Sequence, residues 1–206
     1  MNTSRTDGPT DQELRLLGDL HGKRVLDLGC GTGTAAIAFA QQGAIVIALD
    51  ATDARLARAR ARAEDAEVKV EWRVGDLADL AFLRAESIDA AFSESSVAEV
   101  DDASRLFRQV QRVLKPNAAF VFSYAHPMSL CVDANGVVTR SYFDPGPIDV
   151  ERDGDGARIH VRDVGDVFTE LGRAGFRVDT ILEPRPAAPG ARVPDIIVWR
   201  ARKEGA

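Results

Sequence analysis

What the chain lacks narrows its function first. Only two cysteines, Cys30 and Cys131, occur in 206 residues, and they lie far apart. That is too few for a disulfide framework or a thiolate cluster, so no metal site is expected and a reducing compartment, the cytoplasm, fits best. Cluster-based radical chemistry is excluded on the same ground. Basic residues are in deficit: 26 Lys plus Arg against 32 Asp plus Glu give a formal net charge of -6 and a pI near 5.1. Proteins that grip a polyanionic backbone carry the opposite footprint, so no nucleic-acid partner is expected. No apolar run reaches the length that crosses a bilayer, and residues 1–9 show no basic stretch followed by an apolar core. The expectation is therefore a chain without membrane segment or leader.

What is present suits one α/β domain, since 206 residues with 45% hydrophobic and 28% charged content can bury one sizeable core but hardly two. Residues 1–9 are expected to be a disordered lead-in, and residues 10–206 a single domain. Thr10-Asp11-Gln12-Glu13 has the form of a capping box. The stripe Leu14, Leu16, Leu17 and Leu20 then predicts a short helix to about Leu20. Further on, Val25 to Leu28 is a short apolar run carrying one acid, Asp27, and it ends in glycines at 29, 31 and 33 before a helical pattern begins at Thr34. This reads as strand, tight turn and helix N-terminus. A side chain at any of the three positions would keep the backbone from a ligand or forbid a positive φ.

The spacing restricts that ligand. A dinucleotide fingerprint would place its third glycine where Thr34 stands, and a phosphate loop would follow its last glycine with Lys and then Ser or Thr, which Thr34-Ala35 does not supply. Asp27 would repel a pyrophosphate, whereas it could accept hydrogen bonds from an ammonium group. A nucleoside carrying an amino acid fits better than phosphates.

The stretch Val25-Leu26-Asp27-Leu28-Gly29-Cys30-Gly31-Thr32-Gly33 resembles the first motif of the class I S-adenosylmethionine-dependent methyltransferases, small bacterial members of the type 11, UbiE-like kind. The similarity continues in order through Ala48-Leu49-Asp50, Gly75-Asp76-Leu77, Ile88 to Ser93 and Val113-Leu114-Lys115-Pro116. It covers residues 12 to 123. The alternation of apolar runs and helical patterns itself points to a parallel sheet. The resemblance implies a Rossmann-like sheet of seven strands, mostly parallel and flanked by helices, with the last strand antiparallel. It implies S-adenosylmethionine as cofactor and a contact set of Asp27, Gly29, Cys30, Gly31, Gly33, Asp50, Ala51, Asp76, Leu77 and Ser93. In that set Asp50 takes the ribose hydroxyls, and Asp76 the adenine amine with Leu77 alongside. The loop from Ser93 through Glu94 to Ser96 lies by topology against the methyl group. Arg55, Arg58 and Arg62 share one helix face and read as a solvated surface.

After Ser123 the periodicity is lost until about Val164, and a segment this long in a compact domain is usually functional or disordered. Residues 124–163 are therefore expected to be a substrate cover. A hairpin turning at Asn135-Gly136 is expected within it, with a mobile half from Asp149 to Gly156. Asp79 to Arg84 is expected to form one or two helical turns, and Arg200, Arg202 and Lys203 a solubilising tail. Methyl transfer from a sulfonium needs alignment above all, and a base only where the acceptor must lose a proton. Candidate catalytic residues are His126, then His160, then Tyr142, with a structural role beside Pro127 competing at His126. The function expected is methylation of a small-molecule acceptor by a monomer or homodimer. The alternatives are a non-catalytic S-adenosylmethionine-binding regulator and an NAD(P)-dependent oxidoreductase.

Overall fold

The computed structural model describes residues 10–205 apart from Ala134, Pro145, Asp153, Gly154, Ala187 and Pro189. The expected lead-in, residues 1–9, lies outside the described residues. In chain order the elements are α1 (Asp11–Leu17), β1 (Arg24–Leu28), α2 (Thr34–Gln41), β2 (Ile45–Asp50), α3 (Asp53–Asp65), β3 (Val70–Val74) and β4 (Ile88–Glu94). They continue with α4 (Ala103–Val113), β5 (Leu114–Ala125), β6 (Pro147–Arg152), β7 (Asp155–His160), α5 (Val164–Arg173), β8 (Phe176–Leu182) and β9 (Ile196–Lys203). Thr10 and Glu13 form the capping box, each accepting from the other's backbone N–H.

The seven strands of the main sheet lie in the order β3-β2-β1-β4-β5-β9-β8. Pairs from β3 across to β5 are parallel, and β9 runs antiparallel to both its neighbours. The strand order reverses between β1 and β4, where open α/β sheets bind their ligands beyond the strands' carboxyl ends. Strand alternation sorts the side chains into two cores, one on each face. Leu26, Leu28, Phe120 and Phe122 pack with Phe107 of α4 and Leu171 of α5. On the other face Val25, Val46, Ala48, Ala90 and Phe92 meet Ala36 and Phe39 of α2. The small residues on that side bring α2 close to the sheet, with Phe39 edge-on to Phe92 at 5.3 Å.

Three expectations are corrected here. Asp79 to Arg84 forms turns without helix, because Arg112 of α4 reaches across and donates to the carbonyls of Leu80 and Leu83 at 2.7 and 2.9 Å. Arg200, Arg202 and Lys203 are no tail: all lie in β9, where Arg200 and Arg202 converge on Asp179 at 2.6 and 2.8 Å. Lys203 is buried and donates to the Leu114 carbonyl. Asn135-Gly136 does turn the chain, with a single bridge between Val132 and Val138. The cover's two-stranded hairpin is instead β6 with β7, over the half expected to be mobile. Its alternation is masked in sequence by the outer-face pair Asp149 and Arg158, 2.9 Å apart, while Val150 and Ile159 pack inward on Leu130 and Val161.

Phe122 sits at the centre of the aromatic core, 6.1 Å from both the Tyr124 and Trp199 rings. Truncating Phe122 to Ala is expected to cost about 3–5 kcal/mol, the range for a buried Phe that leaves a cavity. Urea unfolding followed by tryptophan fluorescence would measure it, and a loss under 1 kcal/mol would show that this core face is loosely packed.

Candidate active site

Where β1 ends the chain must turn over the top of the sheet, and the neighbouring strand holds it there. The N–H groups of Gly29 and Cys30 both donate to the Leu49 carbonyl, at 2.7 and 3.1 Å, and the Gly31 N–H donates to Asp50 Oδ2 at 2.9 Å. Asp50 Oδ1 accepts from the Thr52 N–H at 2.8 Å. Each of its oxygens keeps a further lone pair, so this held carboxylate can still accept from a ligand.

All three glycines of the turn have the positive φ that a side chain would disfavour, and they differ in what surrounds them. A Cβ on Gly29 would collide with the Ser96 side chain, and one on Gly33 would lie 2.8 Å from the Trp72 ring and 2.9 Å from Ala59 Cβ. At Gly31 such an atom would meet nothing within 4 Å, and φ is +55°. Gly29 and Gly33 thus allow close packing, and Gly31 alone faces open space. Beside this berth a cleft of about 380 Å³ is lined by Thr52, Ala54, Arg55 and Arg58 at the start of α3 and by Gly156 near the hairpin tip.

Asp27 lies beneath the turn, 1% exposed, and its Oδ2 has no hydrogen-bond partner among the described residues. Burial first, then the nearby carboxylates of Glu94 and Asp50, push its pKa up to about 8, opposed by the Ala36 backbone N–H. A carboxyl raised in the native state contributes stability that is full below its unfolded value near 4 and lost as pH rises through 8. Burial likewise raises the Cys30 thiol, so it is no thiolate. Ala51 is exposed beside Asp50, and Leu77 is buried next to Gly29. Asp76 is exposed and accepts the Ala78 N–H at 2.8 Å, which shapes its turn. Ser93 is fully buried, and its hydroxyl donates to the Leu28 carbonyl at 2.8 Å. That bond ties β4 to β1 and commits the hydroxyl's proton.

Two contributors were not among the expected residues. Ser96 donates to the Gly29 carbonyl at 3.1 Å, and Arg62, expected to be only solvated, reaches the Thr32 carbonyl and the hydroxyls of Thr32 and Thr34 at 2.9–3.0 Å. Both brace the turn. The only sequence signal for Arg62 is its place on the helix that follows Asp50.

The candidate bases differ in what their atoms already hold. His126 Nδ1 accepts the Met128 N–H at 3.0 Å and Nε2 lies 2.9 Å from Glu183 Oε1. With Nδ1 accepting, Nε2 is the nitrogen that donates to Glu183, and the ring ties the strand end to the loop after β8. His160 Nδ1 lies 3.1 Å from Asp101 Oδ1, and its Nε2 is engaged by no described residue. The Tyr142 hydroxyl accepts the Val164 N–H at 3.2 Å.

Comparison with known proteins decides the family. Residues 26–122 match the model of a methyltransferase domain. The ubiquinone biosynthesis O-methyltransferase of Hahella chejuensis is 36% identical over 104 residues, which span 50% of this chain and 44% of that one. An S-adenosylmethionine-dependent methyltransferase structure from Mesorhizobium loti is 31% identical with a TM-score of 0.78, covering 93% of this chain and 95% of that one. The chain belongs to the S-adenosylmethionine-dependent methyltransferase family. The chain spans about half the length of the curated relatives it matches. The cyclase SpnF, 19% identical with a TM-score of 0.73 over 95% of this chain and 80% of that one, shares the fold alone. Activity therefore has to be argued from the site.

Membership makes S-adenosylmethionine the group the site must fit, and the residues fit it. Open space stands over Gly31, Asp50 offers acceptor lone pairs to a ribose, and Asp27 is a buried acid lacking a partner for one oxygen. Among the described residues no helix is long and apolar enough to cross a membrane, and no group of three or more His, Cys, Asp and Glu could hold a metal ion.

The glycine assignment separates stability from binding. Gly29→Ala is expected to lower the melting temperature sharply. Gly31→Ala should lose about 1–2 kcal/mol from the left-handed backbone while losing most affinity for S-adenosylmethionine. Thermal melts with and without donor read both, and a Gly31→Ala protein that binds normally would remove Gly31 from the berth.

Proposed function

We propose that this chain transfers a methyl group from S-adenosylmethionine to a small-molecule acceptor. The observation that carries the reading is the open space over Gly31 between the Asp50 carboxylate and the buried Asp27. Asp50 accepts from the ribose hydroxyls, Asp76 from the adenine amine beside Leu77, and Asp27 receives the ammonium. When bound, the cofactor supplies an electrophilic methyl on a sulfonium with a good leaving group. The chain's task is to align the acceptor and to exclude water. The cover supports a small acceptor, because β6 and β7 pack their apolar face on Ala125 at the end of β5 and on Ala98 in the short turn after β4. The net charge of -6 disfavours a nucleic-acid acceptor. We place acceptor choice in residues 124–163, beyond the stretch 26–122 that matches the methyltransferase domain model. By its name the Hahella relative methylates oxygen, and an oxygen acceptor that must lose a proton requires a base.

His160 is that base in our reading. Asp101 holds its Nδ1 proton, which leaves Nε2 as the acceptor, the orientation logic of a carboxylate-supported imidazole. His126, with both nitrogens occupied, acts as a structural tie, and Tyr142 helps to hold the start of α5.

Titration calorimetry is expected to show S-adenosylmethionine binding that Asp50→Ala weakens by about a hundredfold or more, the loss of two charge-assisted hydrogen bonds. Unchanged affinity in that variant would withdraw the ribose assignment. With an acceptor found by screening a metabolite pool for a one-methyl mass gain, His160→Ala is expected to lose about 10²–10⁴-fold in kcat with donor affinity intact. Full turnover in His160→Ala would remove it as base, and binding without any methylated product would favour a regulator.

A further inference from the structure

Three acids lie on one face of three adjacent strands at the level of the glycine turn: Asp27 of β1 pairs with Ala48 of β2 and Phe92 of β4, and Asp50 and Glu94 follow those partners by two residues, on the same face. Asp50 is the member held by the backbone, since each of its oxygens accepts an N–H at 2.8–2.9 Å. Asp27 is built the other way. It is 1% exposed, one oxygen has no partner among the described residues, and the groups facing it are acids or neutral. They are Asp50 from β2, Glu94 from β4, Cys30 in the turn, with its own proton held by burial, and the backbone N–H of Ala36 from α2. The residues paired with it across the sheet, Ala48 and Phe92, carry no charge. A buried carboxylate with other acids beside it resists ionising unless a cation joins it.

We propose that donor binding is proton-coupled, with Asp27 protonated in the empty site and giving up that proton to solvent as the positively charged donor is seated. The O–H bond of Asp27 breaks, the proton passes to buffer, and the carboxylate left behind pairs with the donor's positive charge, so atoms and charge balance. This rests on the methyltransferase reading and deepens it by assigning a linkage to the same site. The direction follows from the raised carboxyl. Below its pKa of about 8 the site must first be deprotonated, so affinity for the donor rises with pH. The useful window ends near pH 7.5, since the donor's own α-amino group loses its proton near 7.7–8.0.

Calorimetry of the full chain with S-adenosylmethionine in two buffers of different ionisation enthalpy, at pH 6 and pH 7, counts the protons released. Close to one proton per donor is expected, with the dissociation constant tightening by about tenfold from pH 6 to pH 7. In Asp27→Asn, an isosteric change, the proton count should fall to near zero and the pH dependence should flatten. Donor binding with equal heats in both buffers and a pH-independent constant would overturn the coupling and leave the methyltransferase reading standing. Release that persists in folded Asp27→Asn would likewise overturn the assignment to Asp27. Absence of any binding in either buffer would overturn both.

Discussion

The site depends on one constraint: the turn after β1 is fastened to the end of β2 through its own backbone. Leu49 offers one carbonyl to two successive N–H groups, and Asp50 offers a carboxylate oxygen to the next. Those bonds can form only if the chain doubles back tightly, which is what left-handed Gly29, Gly31 and Gly33 permit. Ser96 from beyond β4 and Arg62 from α3 then brace the turn from opposite sides. The result is a rigid ledge with one bare position, Gly31, facing space, and an acid buried beneath it.

The chain divides its labour along the sheet. The half from β1 to β5 supplies the ledge and the acids, and it contains the stretch that matches the methyltransferase domain model. The segment after β5 supplies the roof. It is anchored by His126 on Glu183, by the Tyr142 hydroxyl on Val164, and by Arg162, which donates to the carbonyls of Val100 and Asp101. The same Asp101 holds His160, so the clamp that fixes the roof also orients the proposed base.

Much of this was legible in the residues because it is local. Glycine spacing marks the turn, apolar runs mark the strands, and the capping box marks α1. What escaped depends on partners distant in sequence. Arg62 meets Thr32 and Thr34 only because β2 and α3 fold back over the turn. Arg112 replaces the intrahelical bonds that Leu80 and Leu83 would otherwise need. Arg200 and Arg202 look like a solvated end until β8 brings Asp179 between them. The ranking of the histidines changed for the same reason, since nothing near His126 in sequence announces that Glu183 claims its Nε2.

A crystal structure of the protein grown with saturating S-adenosylmethionine tests the central claim most directly. The account predicts donor density over Gly31, with the ribose hydroxyls within roughly 2.6–3.2 Å of the Asp50 carboxylate and the positive charge on the Asp27 side. An empty ledge, or donor bound elsewhere on the surface, would contradict it.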